Sequence, residues 1–372
     1  MFKGTKVLDV HSHIHDIPMT DPTQQPRLAY QFWHDLWNIP GLGASKPIPS
    51  PIGDGKHSDR PGNTDEDFKA VADALAKYLE VRNIDAQILS PHPLQFHGWM
   101  ENEVQFRSWI TYQNDLAFKI VQARPDVFVA SCQLPQRVDA PDTEHCIEEL
   151  ERCVNELGFV AAYISPDSTG RGDLPTMNMP YWYPLYEKCQ ELNIPIIVHG
   201  TDVLDPRYRT MNVVRYFELG FMLPQTIATV TLRHNPELFQ RFPGLRIIVC
   251  HCGGFVDRMG EGAPYRAIGN DVDRNLFYDS AAYDIDFLAL GIKQRGPAQM
   301  VFGTEAPGSG REIRPGTELT ADDFVPLFES DPALDFLTDE QKLDILHNTP
   351  AKLFPGMEDT AAQNAKARIK AY

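Results

Sequence analysis

Eight apolar runs of strand length, with helix-like segments between them, restrict the folds open to this sequence more than any other feature. They fall at 6–13, 86–90, 127–133, 159–164, 195–199, 246–251, 276–280 and 300–303. Several, including "QILS", "FVAAYIS", "IPIIVHG" and "LRIIVCH", lack the polar alternation of a half-exposed strand and read as strands buried on both faces. The segments between are amphipathic. "TDEDFKAVADALAKYLEVRN" opens with a Thr cap and an acidic first turn. "DTEHCIEELERCVNELG" places Ile147, Leu150 and Val154 at helical spacing and stops at a glycine, and "YWYPLYEKCQELN" and "TDEQKLDILHN" behave likewise. Strands that alternate with helices pair in parallel through right-handed crossovers, and eight of them suit closure. The fold class expected is α/β, a (β/α)8 TIM-type barrel. An open doubly wound sheet is the competitor, but no Gly-rich dinucleotide fingerprint follows any strand.

Three segments are too long to be simple connections. They are 16–63 after strand 1, 202–222 after strand 5 and 305–332 after strand 8. All leave the C-terminal end of a strand, where barrel enzymes place their active sites, so they read as lids or specificity loops. The first carries Trp33, His34 and Trp37 on one face of a short helical pattern, expected as core or subunit packing. Residues 1–357 are expected to form one barrel domain, with 358–372 a C-terminal tail that forms a helix or a subunit contact.

Composition narrows the partners. A net charge of −17 over 372 residues argues against nucleic acid and against an anionic membrane surface. No apolar run reaches membrane-spanning length, and "MFKGTKVLDV" enters a strand pattern without a signal-peptide core. The six cysteines show no paired framework, which points to reduced thiols and a cytoplasmic protein.

Chemistry concentrates at the strand ends. "VLDVHSHIH" puts His11, His13 and His15 at alternate positions, which share a face on a strand. His92 follows the second strand, His199 ends the fifth, His251 ends the sixth, Asp279 ends the seventh and Glu305 follows the eighth. A barrel gathers such positions at its mouth, and imidazole with carboxylate is a metal-ligand and acid/base set. Cys250 and Cys252 flank His251 and are expected, by strand alternation, to point away from it. Asp279 reads equally as a residue orienting a water or histidine and as a structural hydrogen bonder. The "GSG" of 308–310 is expected to let its loop turn close to the site. Arg207, Arg209 and Arg215 either bind a substrate anion or are surface charges.

"DVHSH", "VHG", "HCGG", "VFGTEAPGSG" and "HNTPAKLF" together resemble the signature series of the amidohydrolase superfamily. The resemblance is to the branch holding the aminocarboxymuconate-semialdehyde and benzoate-type decarboxylases, and within it to the 4-oxalomesaconate hydratases. It implies that His11, His13 and His199 hold one divalent ion, zinc first and manganese or iron otherwise, with an open position for water, and that Glu305 either joins these ligands or reaches the bound water as general base. It implies His251 and Glu305 as the catalytic acid/base pair. The activity implied is a metal-dependent lyase that hydrates, or decarboxylates, a small unsaturated carboxylated compound from aromatic catabolism. The hydratases of this branch carry Arg where this chain has His92. His92 is therefore open to three readings, a substrate-binding donor, a structural histidine held by its two flanking prolines, or a ligand of a second ion; His15 and Asp279 are candidates for the same second ion or substrate contact, with His15 otherwise turned toward a loop and touching nothing. Two ions of Fe or Mn would make a dinuclear oxygenase on the same barrel. A further alternative is an inactive metal-binding subunit in a hetero-oligomer with a catalytic paralogue; a homo-oligomer is otherwise expected.

Overall fold

The computed structural model describes residues 1–14, 65–93, 96–201, 213–255 and 275–368. Eight parallel strands follow one another in sequence order: β1 (Leu8–His13), β2 (Ala86–Ser90), β3 (Phe128–Gln133), β4 (Ala161–Ile164), β5 (Ile196–Val198), β6 (Ile247–Val249), β7 (Leu276–Asp279) and β8 (Met300–Val301). The ring closes through main-chain bonds just past β8, where Val10 N–H donates to Phe302 O at 2.9 Å and Glu305 N–H to His11 O at 2.8 Å. The result is the expected (β/α)8 barrel.

The continuous apolar runs are explained by two separate cores. Leu8, Val10, Ile88, Val129, Tyr163, Ile197, Ile248, Phe277 and Val301 fill the bore. Their strand neighbours of opposite parity, such as Leu89, Ala162, Val198 and Val249, pack outward against the helices. Every strand residue is buried, so no polar face interrupts the pattern. Helix α1 (Asp65–Glu80) turns Phe68, Val71, Ala72, Leu75, Ala76 and Leu79 inward at helical spacing. Helices α2 (Glu103–Ala123), α3 (Ile147–Asn155) and α4 (Tyr183–Glu191) follow β2, β3 and β4. After β5 come α5 (Val213–Arg233) and α6 (Pro236–Arg241), and α7 (Ile285–Arg295) follows β7. Thr338 and Gln341 form the capping box that "TDEQ" suggests. No described helix is long and apolar enough to cross a membrane.

Two expectations need correction. The sixth strand stops at Val249, not at residue 251, because His251 and Cys252 adopt left-handed backbone conformations (φ 54° and 56°) that end the pleat. Parity therefore cannot be counted from His251: Cys250, two residues beyond the inward Ile248, packs into the bore, contrary to expectation, with its Sγ within 4.8 Å of ligand atoms of His11 and Asp279. Cys252 packs outward as expected. The tail is tied down beneath the barrel. Asn364 Nδ2, in a short helix over Thr360–Asn364, donates to Phe128 O at 2.7 Å, and Arg368 N–H donates to Glu156 O at 2.7 Å.

Candidate metal centre

The site begins with an irregularity in β1. Leu8 and Val10 face the bore, and regular alternation would then turn His11 and His13 away from it. The β1–β2 register slips between Asp9 and Ser12, a bulge that resets the parity and aims both histidines inward. Asp9 holds this bulge. Its carboxylate accepts from His11 N–H (3.0 Å), Gln87 Nε2 (2.8 Å), Thr304 N–H (3.1 Å) and Thr304 Oγ1 (2.6 Å), joining β1 to β2 and to the end of β8. Burial pushes its carboxyl up to about 6 against the pull of those bonds.

His11 Nε2 and His13 Nε2 lie 3.0 Å apart in a fully buried setting. Two imidazole nitrogens each about 2.1 Å from one ion lie about 3.0–3.4 Å apart, so the pair has the spacing of ligands on a single metal. His199, at the end of β5, has Nδ1 2.7 Å from Gly200 O, which fixes the proton there and leaves Nε2 as a lone pair. That Nε2 is buried and meets no hydrogen-bond partner. Glu305 Oε1 lies 3.7 Å from both His13 Nε2 and His199 Nε2. The ligand atoms of His11, His13, His199 and Glu305 all fall within 4.8 Å of one another. A buried lone pair facing two imidazoles and a carboxylate fits a divalent ion and fits no protein hydrogen bond.

Burial pulls His13 well below the usual imidazole range, with the neighbouring His199 and His11 adding to the effect, and takes His199 down to about 4. Both are thus neutral ligands at neutral pH. Burial also opposes charge on His11, but Asp279, with Oδ2 2.7 Å from His11 Nδ1, outweighs it and raises that pKa. A carboxylate behind a ligating imidazole sets its orientation. Asp279 Oδ1 meanwhile accepts from His251 N–H (2.7 Å) and Ala281 N–H (3.0 Å). Asp279 is a hub between β1, β6 and β7.

Glu305 sits in a left-handed conformation, φ 57°, uncommon for a residue with a side chain. Its carboxylate has two distinct ends. Oε1 faces the ligand histidines, whereas Oε2 accepts from the Tyr283 hydroxyl and lies 3.4 Å from His251 Nε2. Burial would raise this carboxyl, but His251 and the contacts with His13 and His199 hold it well below the usual range. His251 is fixed from behind by Gln225 of α5. Gln225 Oε1 accepts from Gly200 N–H at 2.9 Å and Nε2 donates to Cys250 O at 3.2 Å, so the amide orientation is set. Its Nε2 lies 3.0 Å from His251 Nδ1, and a donating amide there puts the neutral ring's proton on Nε2, the atom facing Glu305.

The remaining candidates divide. His92, partly buried between Pro91 and Pro93, has its ring 5.9 Å from that of His13 and so borders the cluster. His15, Arg207 and Arg209, with Trp33, His34 and Trp37, lie outside the described residues, and Arg215 is in α5 with its side chain undescribed. Sequence reasoning missed Asp9, Gln225, Tyr283 and Tyr163. Gln225 is a lone amide inside a helix, and the two tyrosines lie in apolar stretches that do not single them out. The available signals were the place of Asp9 at the head of "DVHSH" and the parity of Tyr163 near the end of β4.

A barrel carrying His-x-His on its first strand, a histidine at the end of its fifth and an acid after its eighth defines a metal-dependent barrel enzyme. The chain belongs to the amidohydrolase family, whose pattern it matches over residues 8–356. It is 27% identical over 364 residues to 2-keto-4-carboxy-3-hexenedioate hydratase of a Sphingobium species, covering 95% of this chain and 97% of that one. It is 33% identical over 204 residues to gamma-resorcylate decarboxylase of a Rhizobium species, covering 52% and 57%. In three dimensions it shares its fold with 4-oxalomesaconate hydratase from Rhodopseudomonas palustris, with a TM-score of 0.73 at 23% identity over 97% of this chain and 99% of that one. Its relatives are thus hydratases and decarboxylases, lyases of the amidohydrolase superfamily.

Proposed function

We propose that this protein is a hydratase that adds water across the carbon–carbon double bond of a small unsaturated oxo-carboxylate of aromatic catabolism. The observation that carries this reading is the two-ended Glu305, one oxygen toward the histidine cluster and the other toward His251. Hydration needs two proton-handling groups, one to take a proton from water and one to deliver a proton to carbon. Decarboxylation needs only the second. The similarity to a hydratase, 27% identity over 95% of the chain, supports the same choice; the similarity to 2-amino-3-carboxymuconate-6-semialdehyde decarboxylase of Dictyostelium discoideum is 24% over 83% of it.

His11, His13, His199 and Glu305 would hold one divalent ion. When bound, it would lower the pKa of water to about 7 and polarise a carbonyl oxygen of the substrate. Glu305, as carboxylate, accepts the proton that water loses as its oxygen bonds to carbon. Tyr283 keeps Oε2 in place for this. His251, with its proton on Nε2 and its backbone anchored by Asp279, delivers a proton to the adjacent carbon. Gln225 serves both states of His251, donating to Nδ1 when the ring is neutral and accepting from it when charged. Because Asp279 is committed to His11 and to two main-chain donors, we assign it to orienting the site, not to a second ion. His92 is assigned to the substrate side of the cluster. The substrate carboxylates must be met by local cations in a protein of net charge −17, and Arg207, Arg209 and Arg215 are the residues assigned to that.

Incubation of the zinc-loaded protein with a conjugated oxo-dicarboxylate or oxo-tricarboxylate in ¹⁸O-labelled water tests this. The expected result is loss of the conjugated ultraviolet absorbance with one labelled oxygen in the product and no CO₂. Release of CO₂ would make the protein a decarboxylase, and O₂ consumption would make it an oxygenase.

A further inference from the structure

Among the described residues, Tyr163 in the bore carries a polar group that the metal cluster and the acid/base pair leave unused. Tyr163 on β4 is fully buried, and its hydroxyl meets no hydrogen-bond partner among the described residues. Burial strips such a group of water and is costly unless a partner replaces it, so a buried orphan hydroxyl points to a bound partner. Its surroundings say where that partner sits. The Tyr163 ring lies 6.1 Å from that of His13 and 6.2 Å from that of His199, two of the proposed metal ligands. Phe96 stacks on it at 5.0 Å with the planes 30° apart, which fixes the ring from the loop after β2. Burial above all, with Cys250 and Glu305 adding to it, opposes ionisation of the hydroxyl, which stays a neutral donor.

Resting on the hydratase reading, we infer that Tyr163 is a substrate-contacting residue: its hydroxyl donates a hydrogen bond to the substrate oxygen held against the His11, His13, His199 and Glu305 cluster. In hydration that oxygen gains negative charge as water adds, and a buried neutral phenol is a donor suited to it. The phenol gives up no proton in the step. It supplies one hydrogen bond that strengthens as charge develops.

Tyr163→Phe removes the hydroxyl and keeps the ring. Three quantities are compared with wild type on the zinc-loaded full chain: zinc per chain, the thermal midpoint, and the Kd of oxalate, a small dianion, by calorimetry. kcat/KM is measured alongside. We expect unchanged zinc, a midpoint equal to or above that of wild type because an unpaired buried group is gone, and oxalate affinity and kcat/KM each weaker by roughly ten- to a hundredfold. Unchanged oxalate affinity overturns the inference. So does a lower midpoint or lost zinc, which would make the hydroxyl a structural bond. If the wild-type protein fails to hydrate any conjugated oxo-carboxylate, the hydratase reading falls, and oxalate affinity still decides the role of Tyr163.

Discussion

Glu305 and His251, the two residues assigned to moving protons, both sit in left-handed backbone conformations at φ 57° and 54°. Such positions cost on the order of 1–3 kcal/mol and persist only where their surroundings over-determine them. Here the surroundings are identifiable. Glu305 N–H is bonded to His11 O, and a Cβ at Gly308 would come within 2.1 Å of Glu305 O, so only glycine lets the loop fold back on the carboxylate. His251 N–H is bonded to Asp279. The roles of individual side chains separate by substitution. His13→Ala should reduce metal from about one ion per chain to under a tenth by elemental mass spectrometry. His251→Asn should keep the metal and lower kcat by roughly a hundred- to ten-thousandfold. Metal retained at wild-type level in the first, or unchanged kcat in the second, would remove that residue from its assigned role.

At the scale of elements, the strands were legible because each is buried on both faces, and the helices because each shows one apolar face. The His-x-His pair was legible as a pair. Its orientation was not, since the bulge that turns it inward depends on Asp9 reaching Gln87 and Thr304, a contact across 78 and 295 residues of sequence. The end of β6 was hidden for a similar reason, because "IIVCHC" stays apolar through a change of backbone region. Gln225 was invisible because its meaning comes only from the packing of α5 on β5 and β6. Close strand approach gives a test at this scale. A Cβ at Gly303 would lie 2.8 Å from the Cβ atoms of both Asp279 and His11, so Gly303→Ala should lose about 1–3 kcal/mol in urea unfolding and weaken metal binding with it. The loop after β2 gives another. His97 is buried between Trp99 and Trp109, with burial lowering its pKa to about 3. It stays neutral in the fold while the unfolded chain protonates near 6.5, so its contribution is fully present above that pH and is lost as pH falls toward 3. His97→Asn, which suits the left-handed φ of 46°, should flatten the slope of stability against pH between 6 and 4 by up to about 1.4 kcal/mol per pH unit. An unchanged difference between variant and wild type across that range would contradict this.

The whole molecule divides its labour between the two ends of the barrel. The N-terminal strand ends are closed by apolar packing and by the tail bound to β3, while the C-terminal ends converge on one cluster of buried histidine and carboxylate. The family was legible because the motifs that carry chemistry are short and lie at strand ends. The substrate was not, because the segments 16–63, 202–222 and 305–332, where specificity is expected, carry few motifs whose chemistry can be read from sequence alone. Metal binding should also be a property of the folded molecule. Chelation should lower the thermal midpoint by about 5 °C or more, with recovery on adding zinc, since the ligands are brought together only by barrel closure. The central claim is that His11, His13, His199 and Glu305 form one metal site. The most direct test is the identity and number of metal ions per chain, measured by elemental mass spectrometry on protein purified without added metal. One divalent ion per chain is expected; two per chain, with iron or manganese among them, would contradict the single-site account and shift it to a dinuclear centre.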